Sequence, residues 1–382
     1  MKVLTCFLIV LLLNCALFAG DWDRVGIPII IYENGFSPSG TRFWASGGAG
    51  LADPNNVEVL LYNPAHQTIN DNKILMGGMK QFSHTFYKNE TSEMKLGSKW
   101  LIPSYLLFSH RFTFGQLFLG YQTVYNFKKE SKLEVATLEH PEGTGEYVTD
   151  YEDQTLQNFF IGFSRSVLRA LDFGIKVGLL RHHFTGKMHK TEIKSDAAYS
   201  YALNLGLNYK ANDFFHTALV FQYFEPMEFK THLEAPFYVD STADYEYVMI
   251  EVTRDFRLPW MLDLGFYFKP SHFLQFMFKI EYQEWENISK YYENRLQLAF
   301  GTRLHHENWQ FSAGAFTCGK FPTNKNGLED TPFLTAGMSY QIKPGILISM
   351  SAVSNGIFSK KIDSKFNQIE RSQILFGLEW GL

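Results

Sequence analysis

The sequence predicts an all-β protein, a transmembrane antiparallel barrel of about fourteen strands. Three observations carry that prediction. First, the 382 residues are 46% hydrophobic and 16% aromatic, with 36 Phe and 20 Tyr, yet mean hydropathy is only −0.15. Apolar side chains are therefore interleaved with polar ones and not gathered into long runs. Second, the interleaving has period two. In 199–209, Tyr-Ser-Tyr-Ala-Leu-Asn-Leu-Gly-Leu-Asn-Tyr, odd positions are large and apolar and even ones small or polar. Successive side chains of a strand point to opposite faces, so this segment has one greasy face and one polar face. Third, the pattern returns many times, separated alternately by tight turns and by long polar segments. Short turns at one end and long loops at the other describe an outer-membrane barrel, and an even strand count puts both termini on the periplasmic side.

The elements follow in chain order. Met1-Lys2 is a short basic end, Val3 to Leu13 an apolar run, and Ala16-Leu17-Phe18-Ala19 a cleavage site, so 1–19 reads as a secretory signal peptide. A membrane-anchoring helix would need a run of about 20 residues, longer than this one. Lipidation at Cys15 is disfavoured by the bulky Asn14 before it. Of the 3 cysteines, Cys6 and Cys15 leave with the signal. Cys318 alone can build neither a disulfide nor a thiolate metal site. Residues 20–72 do not alternate, and the barrel is placed at 73–382.

The strands read as 73–87, 100–112, 115–128, 156–168, 171–185, 197–210, 213–224, 258–269, 272–284, 293–304, 307–317, 331–342, 345–354 and 372–382. In 172–180, Phe173, Ile175, Val177 and Leu179 oppose Gly174, Lys176 and Gly178. In 258–268, Leu262, Leu264, Phe266 and Phe268 oppose Asp263, Gly265 and Tyr267. Tight turns fall at 112–114, 169–170, 211–212, 269–271, 305–308 and 343–344. Long loops are expected at 88–99, 129–155, 186–196, 225–257, 285–292, 318–330 and 355–371. Lipid offers no hydrogen-bond partner, so a sheet in the bilayer has to close on itself. Trp100, Trp260 and Trp285 near the long-loop ends, and Trp309 and Trp380 near the short-turn ends, fit two interfacial girdles. A soluble sandwich or lipocalin-like barrel would point its apolar face inward. About fourteen strands enclose a space too wide for side chains alone to fill.

Within 20–72 stands Ser37-Pro-Ser-Gly-Thr-Arg-Phe-Trp-Ala-Ser-Gly-Gly-Ala-Gly-Leu-Ala-Asp53, followed by Leu60-Leu-Tyr-Asn-Pro-Ala65. The glycines permit close packing and positive φ, and Asn63-Pro64 is a turn signal. No Lys-Ser/Thr follows the glycines, so a phosphate loop is not indicated. This stretch resembles the N-terminal hatch of the FadL/TodX outer-membrane transport proteins and the related PorV/PorQ-type barrels, with Gly47, Gly48, Gly50, Asn63, Pro64 and Ala65 matching. His66 departs from the pattern. Gly377-x-x-Trp380-x-Leu382 keeps the spacing of a signal for the outer-membrane assembly machinery but ends in Leu. The resemblance implies a fourteen-stranded barrel whose segment 20–72 folds into the lumen as a plug. It also implies passive uptake of hydrophobic small molecules, long-chain fatty acids or aromatic hydrocarbons. The alternative it implies is a non-transporting barrel acting as partner or anchor in protein secretion.

The expected partners are therefore the lipid bilayer and a hydrophobic small-molecule ligand, with a secretion partner in the alternative. A net charge of −4 gives no reason to expect nucleic-acid binding. Pro103, inside the second strand, cannot donate a ladder hydrogen bond and marks either a harmless bulge or a parting of the wall between strands two and three. Lys176, Asp263, Lys279, Glu281, Arg295, Arg303 and Glu379 are placed facing the lumen. They pair with one another there, or hold the head group of an acidic ligand. His182-His183 and His305-His306 project to opposite faces, poor geometry for a shared metal. The carboxylates of 150–153 read as solvated. With no catalytic constellation, neither enzymatic activity nor a cofactor or metal is expected.

Overall fold

The computed structural model describes residues 39–67, 72–82, 85–88, 92–96, 101–134, 147–188, 191–238, 245–288, 294–318, 331–355 and 372–381. The signal segment and residues 20–38 lie outside these, as do Trp100 and most of the expected loops at 285–292, 318–330 and 355–371. Among the described residues, nineteen strands form one antiparallel sheet. They are β1 Lys73–Phe82, β2 Thr85–Lys88, β3 Ser92–Leu96, β4 Ile102–Phe112, β5 Gly115–Glu134, β6 Tyr147–Leu168, β7 Leu171–Met188, β8 Thr191–Ser195, β9 Ala198–Lys210 and β10 Phe215–Phe224. There follow β11 Met227–Tyr238, β12 Tyr245–Phe256, β13 Met261–Phe268, β14 Leu274–Gln283, β15 Arg295–His306, β16 Trp309–Cys318, β17 Thr331–Lys343, β18 Ile346–Ser354 and β19 Ser372–Gly381.

Fourteen of them close into a barrel. Neighbours run β1, β4, β5, β6, β7, β9, β10 and then β13 to β19 in order. The ring shuts where β1 pairs with β19, from Lys73 opposite Gly381 to Phe82 opposite Ser372. Closure removes the sheet edge that a bilayer would not tolerate. The outward face is apolar: Leu119, Phe159, Ile161, Val177, Leu264, Phe300 and Phe376 are exposed. Their sequence neighbours point inward and are buried, polar at Asn158, Lys176 and Asp263 and apolar where they meet the inner segment or one another, as at Phe118, Phe160 and Leu375. The two faces are thus inverted relative to a water-soluble barrel. Among the short connections, Glu307-Asn308 joins His306 to its partner Trp309, with Glu307 at φ 53°. Two-residue hairpins of this kind favour positive φ because it matches the strand twist.

The long connections differ from the expectation of loops. β5 and β6 run on above the wall, still paired as far as Glu134 opposite Tyr147. Segment 225–257 holds a hairpin, β11 with β12, and β8 pairs with both β7 and β11. Strands β2 and β3 occupy part of 85–96, with β3 added to β5. Beyond the bilayer there is no apolar solvent to impose greasy alternation, so 129–134 reads Lys-Glu-Ser-Lys-Leu-Glu and still forms strand.

Residues 39–66 lie inside the barrel and are almost all buried. They form a one-turn helix, α1 (Thr41–Ala45), and a 3-10 turn at Val57–Leu61 whose start is capped by Asn56 Oδ1 accepting from Glu58 N at 3.2 Å. Phe43, Trp44 and Leu51 pack against Tyr267, Met277 and Phe316 of the wall. Leu60 and Leu61 pack against Leu75, Leu107, Phe118 and Phe160 on the other side.

Candidate functional site

The inner segment is held by its own geometry and by charges on the wall. Gly47 and Gly48 take φ of 70° and 71°, conformations that L side chains rarely adopt. Asn63 closes a turn by accepting from Ala65 N at 2.9 Å and donates through Nδ2 to Leu51 O at 3.2 Å. Gly50 and Pro64 are buried in the same segment, as is His66, whose carbonyl accepts from Ser164 Oγ at 3.3 Å. Inward glycines of the wall make room for it. A Cβ on Gly174 would lie 2.0 Å from Pro64 O, and one on Gly301 2.3 Å from Ser46 O.

Arg303 and Glu379 face inward and bind this segment, Glu379 sharing its carboxylate with Lys73 of β1. Arg303 forms an ion pair with Asp53, both fully buried. Burial pushes the Asp53 carboxyl up, but the Arg303 guanidinium and the Asn55 N–H outweigh it and hold the carboxyl below its usual range. Glu379 accepts from Arg42 Nη1 at 3.0 Å and lies 3.3 Å from Lys73 Nζ. Arg42 also donates to Asn55 O and Gln310 Oε1, each at 3.1 Å. Glu58 accepts from Phe43 N at 2.9 Å and Tyr105 Oη at 2.8 Å. Among these, sequence reasoning missed Asp53 and Glu58. The inward glycines at 174, 206, 265 and 301 were the available signal for where the segment packs.

Above the inner segment, toward the long-loop end, is a cavity of about 230 Å³. Phe43, Trp44, Leu51, Leu61 and Tyr62 make its floor, and Tyr125, Phe224, Leu258 and Phe316 its apolar sides. The hairpin supports the upper side, with Met227, Phe229 and Phe256 packed on Tyr125, Leu156 and Leu180. Lys176, Asp263, Lys279, Glu281 and Arg295 all line this space. Lys279 lies between Glu281 and Asp263, 3.6 Å from the latter, and Gln222 donates to Asp263 at 2.7 Å. Lys176 donates to Leu61 O and sits 4.9 Å above the Phe160 ring. The guanidinium of Arg295 lies 5.6 Å from the Trp285 ring. Trp285 itself is buried against this cavity, so it differs from the girdle position expected for it, while Trp309 and Trp380 are exposed.

Pro103 lies beyond the end of the ladder between β4 and β5. The β4–β5 ladder ends at Tyr105 opposite Gln122, while Pro103 stays paired to Gly78 of β1 across a bulge. Thr123 Oγ1 donates to Pro103 O at 3.0 Å, and Ser39 Oγ lies within 3.1 Å of Ser104 O and 3.2 Å of Thr123 O. One residue of the inner segment thus bridges the two strands.

No family model and no curated protein matches the chain. Solved structures do. The Pseudomonas putida toluene transporter TodX is similar at TM-score 0.70 and 14% identity, over 91% of this chain and 99% of that one. The Ralstonia pickettii toluene transporter TbuX gives TM-score 0.70 at 12% identity, over 91% and 99%. A Pseudomonas aeruginosa FadL homologue gives 0.61 at 13%, over 90% and 98%. At these identities the likeness establishes the shared fold.

Proposed function

We propose that the chain is a distant FadL/TodX-type barrel of a bacterial outer membrane, and that it passes compact hydrophobic molecules from outside toward the periplasm. The carrying observation is the largely apolar cavity seated on the buried inner segment. Pockets for drug-sized ligands run to about 300–1,000 Å³, whereas an apolar cavity of about 150 Å³ takes up benzene. A space of about 230 Å³ therefore suits a one- or two-ring aromatic better than a full-length fatty acid. The polar lining supports a neutral ligand as well. Lys279 is held between Asp263 and Glu281, Lys176 is engaged by a backbone carbonyl and a ring face, and Arg295 lies against the Trp285 ring. Asn204, which donates to Gln222 Oε1 at 2.9 Å, narrows one side. Asn204→Trp fills that side and is expected to lower uptake of radiolabelled naphthalene at least fivefold in cells expressing the protein. Wild-type uptake in that variant contradicts the cavity as the transport site.

The parting at Pro103 supplies a sideways way out, since the inner segment is anchored too firmly to leave as a whole. Pro103→Val restores a backbone donor. It is expected to slow naphthalene uptake severalfold by drawing β4 and β5 together; faster uptake contradicts this exit.

A further inference from the structure

We infer that a second lateral window lies between β15 and β16, through which the cavity exchanges apolar compounds directly with the outer leaflet. The ladder between these strands ends at Ala299 opposite Phe316. Neither strand ends there. β15 continues to Arg295, paired with β14 opposite Gln283, and β16 continues to Cys318, paired with β17 opposite Thr331. Both remain regular on their far sides while parted from each other, which fraying of a hairpin end does not produce.

The cavity reaches this notch. Gln297, Leu298, Phe316 and Thr317 belong to its lining. Leu298 is at the same time 42% exposed on the outer face, between Leu296 and Phe300, which are also exposed. A single side chain therefore borders both the cavity and the lipid-facing surface. The cost of parting is met locally. An unpaired N–H facing hydrocarbon is strongly disfavoured, but the Leu298 N–H donates to Thr317 Oγ1 at 3.1 Å. A side-chain hydroxyl takes the place of the missing ladder carbonyl, and the strands need not meet. The notch sits at the long-loop end of the wall, roughly across the barrel from the parting at Pro103. Apolar solutes partition into membranes, so a window at this height draws on a local concentration far above that in water.

This inference rests on the proposed uptake reading, and the test separates the two. The protein is placed in phospholipid vesicles with a bilayer-soluble aryl diazirine, photolysed, and the labelled residues mapped. The expected result is labelling of Phe316 and Phe224 inside the cavity. Leu298→Trp, which blocks the notch, reduces cavity labelling at least fivefold while Leu296 and Phe300 label as before. Leu298→Ala, which widens it, raises cavity labelling about twofold. A cavity unlabelled in the wild type, labelled equally in Leu298→Trp, or unchanged in Leu298→Ala overturns the window. Should Leu298→Trp fail to assemble, the alanine variant decides alone. Loss of cellular naphthalene uptake with cavity labelling intact sinks the uptake reading and leaves the window standing.

Discussion

Asp53→Ala is expected to turn a closed barrel into one that leaks ions. The substitution leaves the Arg303 guanidinium buried at 1% exposure without its carboxylate. Removing one partner of a buried ion pair costs about 3–5 kcal/mol, because the remaining charge has neither water nor counter-ion. The wall is fixed by its ladders, so relief comes from the inner segment, which shifts and admits water to Arg303. Single-channel conductance in planar bilayers should rise severalfold above wild type. Asp53→Ala with Arg303→Leu removes both charges and should return most of the closed behaviour. Acid should mimic the single variant. Because the folded carboxyl is held below its ordinary value, the anchoring it supplies is full above about pH 4 and is lost as pH falls through the folded pKa. Unchanged conductance in Asp53→Ala would show that the ion pair does not hold the segment.

Gly174→Val is expected to displace the same segment from a different point. The added Cβ would lie 2.0 Å from Pro64 O, 2.2 Å from Pro64 C and 2.4 Å from Ala65 N. All three are backbone atoms, so no side chain can rotate out of the way. The 63–66 turn must move, and with it Leu60 and Leu61 leave their contacts with Leu107 and Phe118. The outer face of β7 is untouched, so the barrel should still assemble and migrate as a folded species in unheated gels. Amide exchange over 57–66 should quicken by an order of magnitude or more. Wild-type protection there would mean that the segment does not depend on the clearance at Gly174.

The wall was legible in the sequence because lipid on one side and a polar lumen on the other write a strict period of two. Val177 and Lys176, or Leu264 and Asp263, declare their faces by type alone. Two features were not legible for the same physical reason. The β11–β12 hairpin and the upper parts of β5 and β6 meet water on more than one side, so nothing forces alternation there. Trp285 has a polar Nε1 and a large apolar body. It satisfies the former on Gln283 Oε1 and buries the latter against the cavity, where a girdle position would have used both equally well. Pairings between the inner segment and wall, such as Arg303 with Asp53 and Arg42 with Glu379, join residues more than two hundred positions apart. Alternation placed Arg303 and Glu379 facing inward, and only the fold shows which partner each meets.

The central claim is that the cavity above the inner segment carries compact apolar molecules. Its most direct measurement is the initial rate of radiolabelled naphthalene entry into a bacterial host with no comparable channel, with and without the protein. The claim predicts a saturable increase over the empty-vector control that Asn204→Trp removes. No increase over the control, together with recovery of the protein in a secretion complex with an empty cavity, would contradict it and favour the scaffold role.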